Sequence, residues 1–163
     1  MYRGKVKFIT QSAVIAAMYV VFTMIANMFG MANGIIQVRI SEAFTVLPYF
    51  TPAAIPGLFV GCLLANFLTG ATMLDVIFGS IATLTGAIGS YLIRKNKYLV
   101  SIPPIVVNMI AIPLLFTYVY RFENSFWYFV ATIGIGELIS CGVLGTALLL
   151  GLEDYKDKLF PKD

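Results

Sequence analysis

Four long apolar runs, residues 8–29, 74–93, 99–120 and 125–152, govern what this chain can fold into. A helix needs about 20 apolar residues to cross the hydrocarbon core of a bilayer, whereas a barrel strand needs about 9–11. In lipid every backbone amide must find its partner inside the protein, so runs of this length read as transmembrane helices. Hydrophobic residues make up 60% of the chain and charged residues 12%. A water-soluble domain carries roughly 25% charged residues, and the shortfall leaves too little polar surface to face water. The expectation is a single all-α domain over residues 1–163, a polytopic helix bundle in the cell membrane.

The charges mark the ends of the spans. Arg3, Lys5 and Lys7 open the chain, Arg94, Lys95 and Lys97 sit mid-chain, and Lys156, Lys158 and Lys162 lie in the tail. By the positive-inside rule all three clusters belong on the cytoplasmic side. An even number of crossings must then separate the N-terminus from Arg94. Residues 40–70 are too long for one straight span and short for two, and Pro48, Pro52 and Pro56 interrupt them. Parity favours two helices, residues 40–50 and 54–69, with a proline turn at 51–52. The first is short enough to be tilted or only part-spanning. The result is a six-helix bundle with both termini cytoplasmic. Segments 33–39, 70–73 and 121–125 lie outside, where Arg39 and Arg121 are the only basic residues. The first run is too long for a signal-peptide core and is expected to remain in the mature protein.

Several function classes drop out. The chain has no histidine, which removes His-based zinc sites and every Ser-His or Cys-His pair. It has no P-loop sequence, so ATP-driven work would need a partner subunit. No basic stripe on a soluble face suggests nucleic acid. The two cysteines, Cys62 and Cys141, each lie in an apolar run and are expected to be buried and unpaired. Neither a cofactor nor a metal site is expected.

Small residues recur at helical spacing: Gly57 with Gly61; Gly79, Ala82, Gly86 and Gly89; and Gly134, Cys141 and Gly145. Such seams let helices approach closely in lipid. Packing does not explain the acids on two of these faces, Asp75 and Glu137. An ionisable side chain at the bilayer centre costs about 2.5–3.5 kcal/mol on insertion scales, so it usually serves a ligand or a pathway. The candidate substrate-binding residues are Glu137, Asn108, Glu42, Arg39, Asn66 and Asp75, with Asn27 and Gln37 weaker. Arg39, Glu42, Asn66 and Asp75 should lie near the outer face, with Asn108 and Glu137 deeper, in one pocket open to the outside. Each has a plainer reading. Arg39 and Glu42 suit a local ion pair, Asp75 a helix N-cap, and Asn66 and Asn108 interhelical hydrogen bonds. Tyr118, Tyr120, Trp127 and Tyr128 suit an interfacial aromatic belt.

The run from Gln37 to Asn66, QVRISEAFTVLPYFTPAAIPGLFVGCLLAN, and the segment DVIFGSIATL from Asp75 closely resemble the QueT family. Members of that family are substrate-binding S components of energy-coupling factor (ECF) transporters. The resemblance implies uptake of queuosine precursors, namely 7-cyano- or 7-aminomethyl-7-deazaguanine or the queuine base. It implies partnership with a transmembrane T component and two ATPase subunits, and it excludes enzymatic activity of the chain itself. An Ala-x-x-x-Ala step of S components, which contacts the T component, matches Ala13 and Ala17. A 7-deazaguanine offers a ring N–H and an exocyclic amine that one carboxylate can accept together. Glu137 or Glu42 would supply that acceptor, Asn108, Asn66 or Arg39 a donor to the ring carbonyl, and Asp75 a partner for an aminomethyl cation. The competing reading is a stand-alone proton-coupled carrier working through Glu137 or Asp75.

Overall fold

The structure is a computed structural model that describes residues 2–30 and 38–160. Asn33, Gln37 and Lys162 therefore lie outside the described residues. Among those described, every regular element is helical. The elements are α1 (Tyr2–Met28), a 3-10 helix (Ile40–Tyr49), α2 (Ala54–Leu68), α3 (Met73–Leu92), α4 (Ile102–Val119), α5 (Phe126–Glu153) and a terminal turn, α6 (Lys156–Leu159). Four helices are long and apolar enough to cross a membrane: α1 from Gly4, α3, α4 and α5. The fifteen-residue α2 is apolar but shorter. Large apolar side chains cover the outside of the bundle; Ile9, Phe67 and Val143 are each more than 60% exposed. Water would penalise that surface and lipid does not.

Ile40–Tyr49 winds as a 3-10 helix, which is longer per residue than an α-helix. At about 2.0 Å per residue, ten residues span about 20 Å, against about 15 Å for an α-helix. Two local features favour the tighter winding. The Thr45 hydroxyl donates to the Glu42 carbonyl three residues back (2.6 Å), and Pro48 has no N–H for an α-helical bond. Every side chain from Ser41 to Pro48 is buried. Thr51 and Pro52 then reverse the chain, with Thr51 N–H donating to the Leu47 carbonyl (3.2 Å) and Ala54 N–H to the Thr51 carbonyl (3.2 Å).

Consecutive helices pack in chain order from α1 to α5, and the 3-10 helix sits between α1, α2, α3 and the C-terminal half of α5. The small-residue seams are the contact lines. A Cβ on Gly57 would come within 2.7 Å of the Ser12 carbonyl, and one on Gly61 within 2.8 Å of Tyr19 Cβ, so α1 and α2 touch nearly backbone to backbone. Gly86 and Gly89 seat Pro104 and Pro103 of α4 in the same way, with approaches of 2.8 and 2.6 Å. Tyr19, Leu58, Cys62, Phe44 and Leu47 fill the centre.

The basic clusters gather at one end. Lys97 Nζ pairs with Glu153 Oε2 at 2.7 Å, Gln11 Nε2 donates to the Leu159 carbonyl (3.3 Å), and Phe160 stacks on Phe50 (5.2 Å). Gly70 reverses the chain at the opposite end, between α2 and α3, with φ of 75°. That left-handed conformation suits glycine, which has no Cβ to clash.

Candidate functional site

Four elements bring polar groups to one buried point. Arg39 and Glu42 enter from the start of the 3-10 helix, Gly79 and Thr83 from α3, Asn108 and Ile112 from α4, and Ile133 and Glu137 from α5. Together they line a cavity of about 30 Å³. Glu42, Asn108 and Glu137 are all buried. Asn108 Nδ2 donates to Glu137 Oε1 (3.0 Å), and the Cys141 thiol lies 3.1 Å from the other carboxylate oxygen, Oε2. The Tyr19 hydroxyl donates to Glu42 Oε1. Glu42 Oε2 is buried and, among the described residues, has no hydrogen-bond partner. A buried acceptor left unsatisfied is costly in free energy.

Oxygens of Glu42 and Glu137 and the sulfur of Cys141 lie within 4.8 Å of one another. Two ionised carboxylates that close repel by at least about 3 kcal/mol at an effective dielectric constant of 20. Arg39 supplies positive charge on the wall of the same cavity. The three donors could share a cation, although Arg39 already occupies that electrostatic role. Chemically the arrangement is a slot with acceptors on the 3-10 helix and α5, and donors at Arg39 and Asn108.

The candidate residues do not all fall in this slot. Asn66 lies behind it: its Nδ2 donates to Cys62 Sγ (3.4 Å) and sits 3.1 Å from where a Cβ on Gly79 would be. Thr83, which does line the slot, donates to the same Cys62 sulfur (3.3 Å). Asp75 belongs to a second cavity of about 460 Å³ at the end remote from the basic clusters, walled by Phe116, Tyr120, Phe122, Tyr128 and Phe129. Ile133 lines both cavities, so the single pocket expected from sequence is divided in two. Asp75 is also not the N-cap of α3. Thr72 is, with its hydroxyl accepting from Asp75 N–H (3.3 Å) and donating to Asp75 Oδ2 (3.1 Å), a side-chain N-cap. Tyr120 and Tyr128 wall the second cavity, while Trp127 and Tyr118 are at least 70% exposed and fit an interfacial belt. On α1, Ala13 and Ala17 face outward, while Ala16 is buried against Gly61.

Sequence reasoning passed over Tyr19 and Cys141. A tyrosine in the middle of an apolar helix, far from either interface, needs a buried partner for its hydroxyl, and that was the available signal. Cys141 lies four residues beyond Glu137 on the same helical face. In the sequence it suits a small packing residue. Both cysteines are free and buried, as expected.

The chain matches the sequence model of the QueT transporter family over residues 9–154. It is 36% identical over 84 residues to the queuosine precursor transporter QueT of Lactococcus lactis subsp. cremoris (strain MG1363), a match covering 52% of this chain and 49% of that protein. The match therefore spans about half the length of that curated relative. No solved structure matches the chain.

Proposed function

The chain belongs to the QueT transporter family, and from that premise we propose that it is the substrate-binding membrane subunit of an ECF-type, ATP-driven importer of queuosine precursors. The observation that carries this reading is the convergence of Arg39, Glu42, Asn108 and Glu137 on one buried slot. A 7-deazaguanine edge presents two adjacent N–H donors and a carbonyl. Glu42 Oε2, which lacks a partner, and the Glu137 carboxylate take the donors, while Arg39 and Asn108 donate to the carbonyl. Hydrogen-bonded sites of this kind reject analogues that lack the matching groups, because their own polar atoms are left unpaired.

At about 30 Å³ the slot has room for a water or two, whereas small-ligand pockets run roughly 300–1,000 Å³. Entry of substrate therefore requires the elements around the slot to move apart, and α4 and α5 are the candidates. Each helix carries a π-helical stretch: Leu138–Leu144 of α5 follows Glu137 directly, and Leu115–Val119 of α4 contributes Phe116 to the second cavity. Such stretches interrupt regular hydrogen bonding and are frequent at functional sites. In this reading the chain crosses the membrane six times, with the stretched 3-10 helix as its second crossing and both termini cytoplasmic. The gathering of basic residues at one end supports that topology. The outward face of α1 at Ala13 and Ala17 docks the T component, and two ATPase subunits supply the energy.

A proton-coupled carrier is the competing reading, favoured by the close approach of the Glu42 and Glu137 carboxylates. Uptake of labelled 7-cyano-7-deazaguanine into cells expressing the chain separates the two. The importer reading expects uptake that ceases on ATP depletion and requires the T component and ATPases. Uptake that persists without those partners and collapses with a protonophore would overturn it.

A further inference from the structure

The second cavity has a chemistry of its own. Five aromatic side chains surround one carboxylate, Asp75, and no lysine or arginine is among the residues lining it. The rings form a continuous wall: Phe116 meets Phe122 and Phe129 edge to face at 5.4 and 5.3 Å, and Tyr128 meets Phe129 at 5.7 Å. Asp75 is fixed at the head of α3 by Thr72, whose hydroxyl also bonds the Tyr120 hydroxyl. Aromatic faces around a carboxylate, with no competing cation, make a receptor for an ammonium group: the ring quadrupoles and the acid both attract positive charge.

The two cavities are stacked along the helices. Asp75 lines one and Gly79 the other, four residues apart on α3. Ile133 lines both and Glu137 the inner slot, four residues apart on α5. Four helical residues rise about 6 Å, so one small bicyclic ligand can reach from slot to chamber. We propose that the aromatic chamber is a second subsite that binds a protonated amine carried on the substrate while the heterocyclic edge occupies the inner slot. Ile133 is the partition the ligand passes. This rests on the function proposed above and adds to it a selectivity, for amine-bearing over neutral precursors of the same ring.

The test is a pair of titrations of the full-length chain, purified in detergent or nanodiscs, with 7-aminomethyl-7-deazaguanine and its neutral counterpart 7-cyano-7-deazaguanine. Asp75→Asn is expected to weaken the amine about tenfold or more, the scale of one charge-assisted contact, and to leave the nitrile within about twofold. Asp75→Glu should restore most of the amine affinity. Because Asp75 also sits in the α3 cap, Tyr128→Leu serves as an independent arm and is expected to weaken the amine alone, by about threefold. Selective loss of the amine in both variants supports the subsite. Equal effects on the two ligands, or none, overturn it while leaving the inner slot standing. Failure of the wild-type chain to bind either ligand overturns the proposed function, and the subsite with it.

Discussion

Replacing Glu137 by glutamine separates binding from folding. The Glu137 carboxylate is 8% exposed, accepts from Asn108 at 3.0 Å, and lies within 4.8 Å of a Glu42 oxygen. Glutamine is nearly isosteric and keeps one carbonyl oxygen for Asn108. It presents an NH₂ group where ligand donors expect an acceptor, and it removes the charge. Hydrogen bonds to charged groups contribute about 1.5–3 kcal/mol, which corresponds to about a tenfold to 150-fold loss of affinity. The effect on the empty protein has the opposite sign. Where both neighbouring buried carboxylates are ionised, removing one relieves a repulsion of about 3 kcal/mol at an effective dielectric constant of 20, so thermal stability should hold or rise. Isothermal titration with a 7-deazaguanine and a thermal melt of the unliganded protein read the two effects separately. An unchanged Kd would remove Glu137 from the site. A weakened Kd together with a collapsed melting temperature would recast Glu137 as structural.

Three further outcomes follow from the geometry. Tyr19→Phe removes the donor to Glu42 Oε1 and should lower ligand affinity by about two- to tenfold, less than the full worth of a hydrogen bond to a charged group because Tyr19 acts through Glu42 rather than on the ligand, as read by the same titration. Ala17→Leu adds bulk on the outward face of α1. It should leave ligand affinity unchanged while abolishing co-purification with the T component, and retained co-purification would place the docking surface elsewhere. Hydrogen bonding and proximity to Glu153 raise the Lys97 pKa above its usual 10.5. Its stabilising contribution is therefore complete below about pH 10 and lost as pH rises through the raised value. A melting difference between wild type and Lys97→Met should appear at neutral pH and vanish in strong alkali.

The helix order was legible because lipid leaves an apolar run of 20 or more residues few alternatives. Residues 74–93 and 125–152 differ from the observed Met73–Leu92 and Phe126–Glu153 by a single residue at each end. The first helix starts earlier than its apolar run, which begins at residue 8. α1 continues back to Tyr2 through Lys5 and Lys7, because a helix end outside the hydrocarbon tolerates charge. The 3-10 winding of Ile40–Tyr49 was not legible. Ser41 to Pro48 are all buried, so a polar face does not distinguish one helix type from another there. Only the length deficit hinted that the segment had to be stretched. In the site, the insertion cost of Glu42 and Glu137 made those acids conspicuous. The separation of Asp75 from them was hidden, since sequence sets depth along a helix but not which neighbouring side chain, here Ile133, stands between two cavities.

A structure determined with a bound 7-deazaguanine tests the central claim most directly. The account predicts the ring held between Glu42 and Glu137, its N–H edge on their carboxylates and its carbonyl facing Arg39 or Asn108, in a slot enlarged well beyond about 30 Å³. A ligand seated wholly in the aromatic chamber or on the bundle exterior, with Glu42 Oε2 still unpartnered, would contradict it.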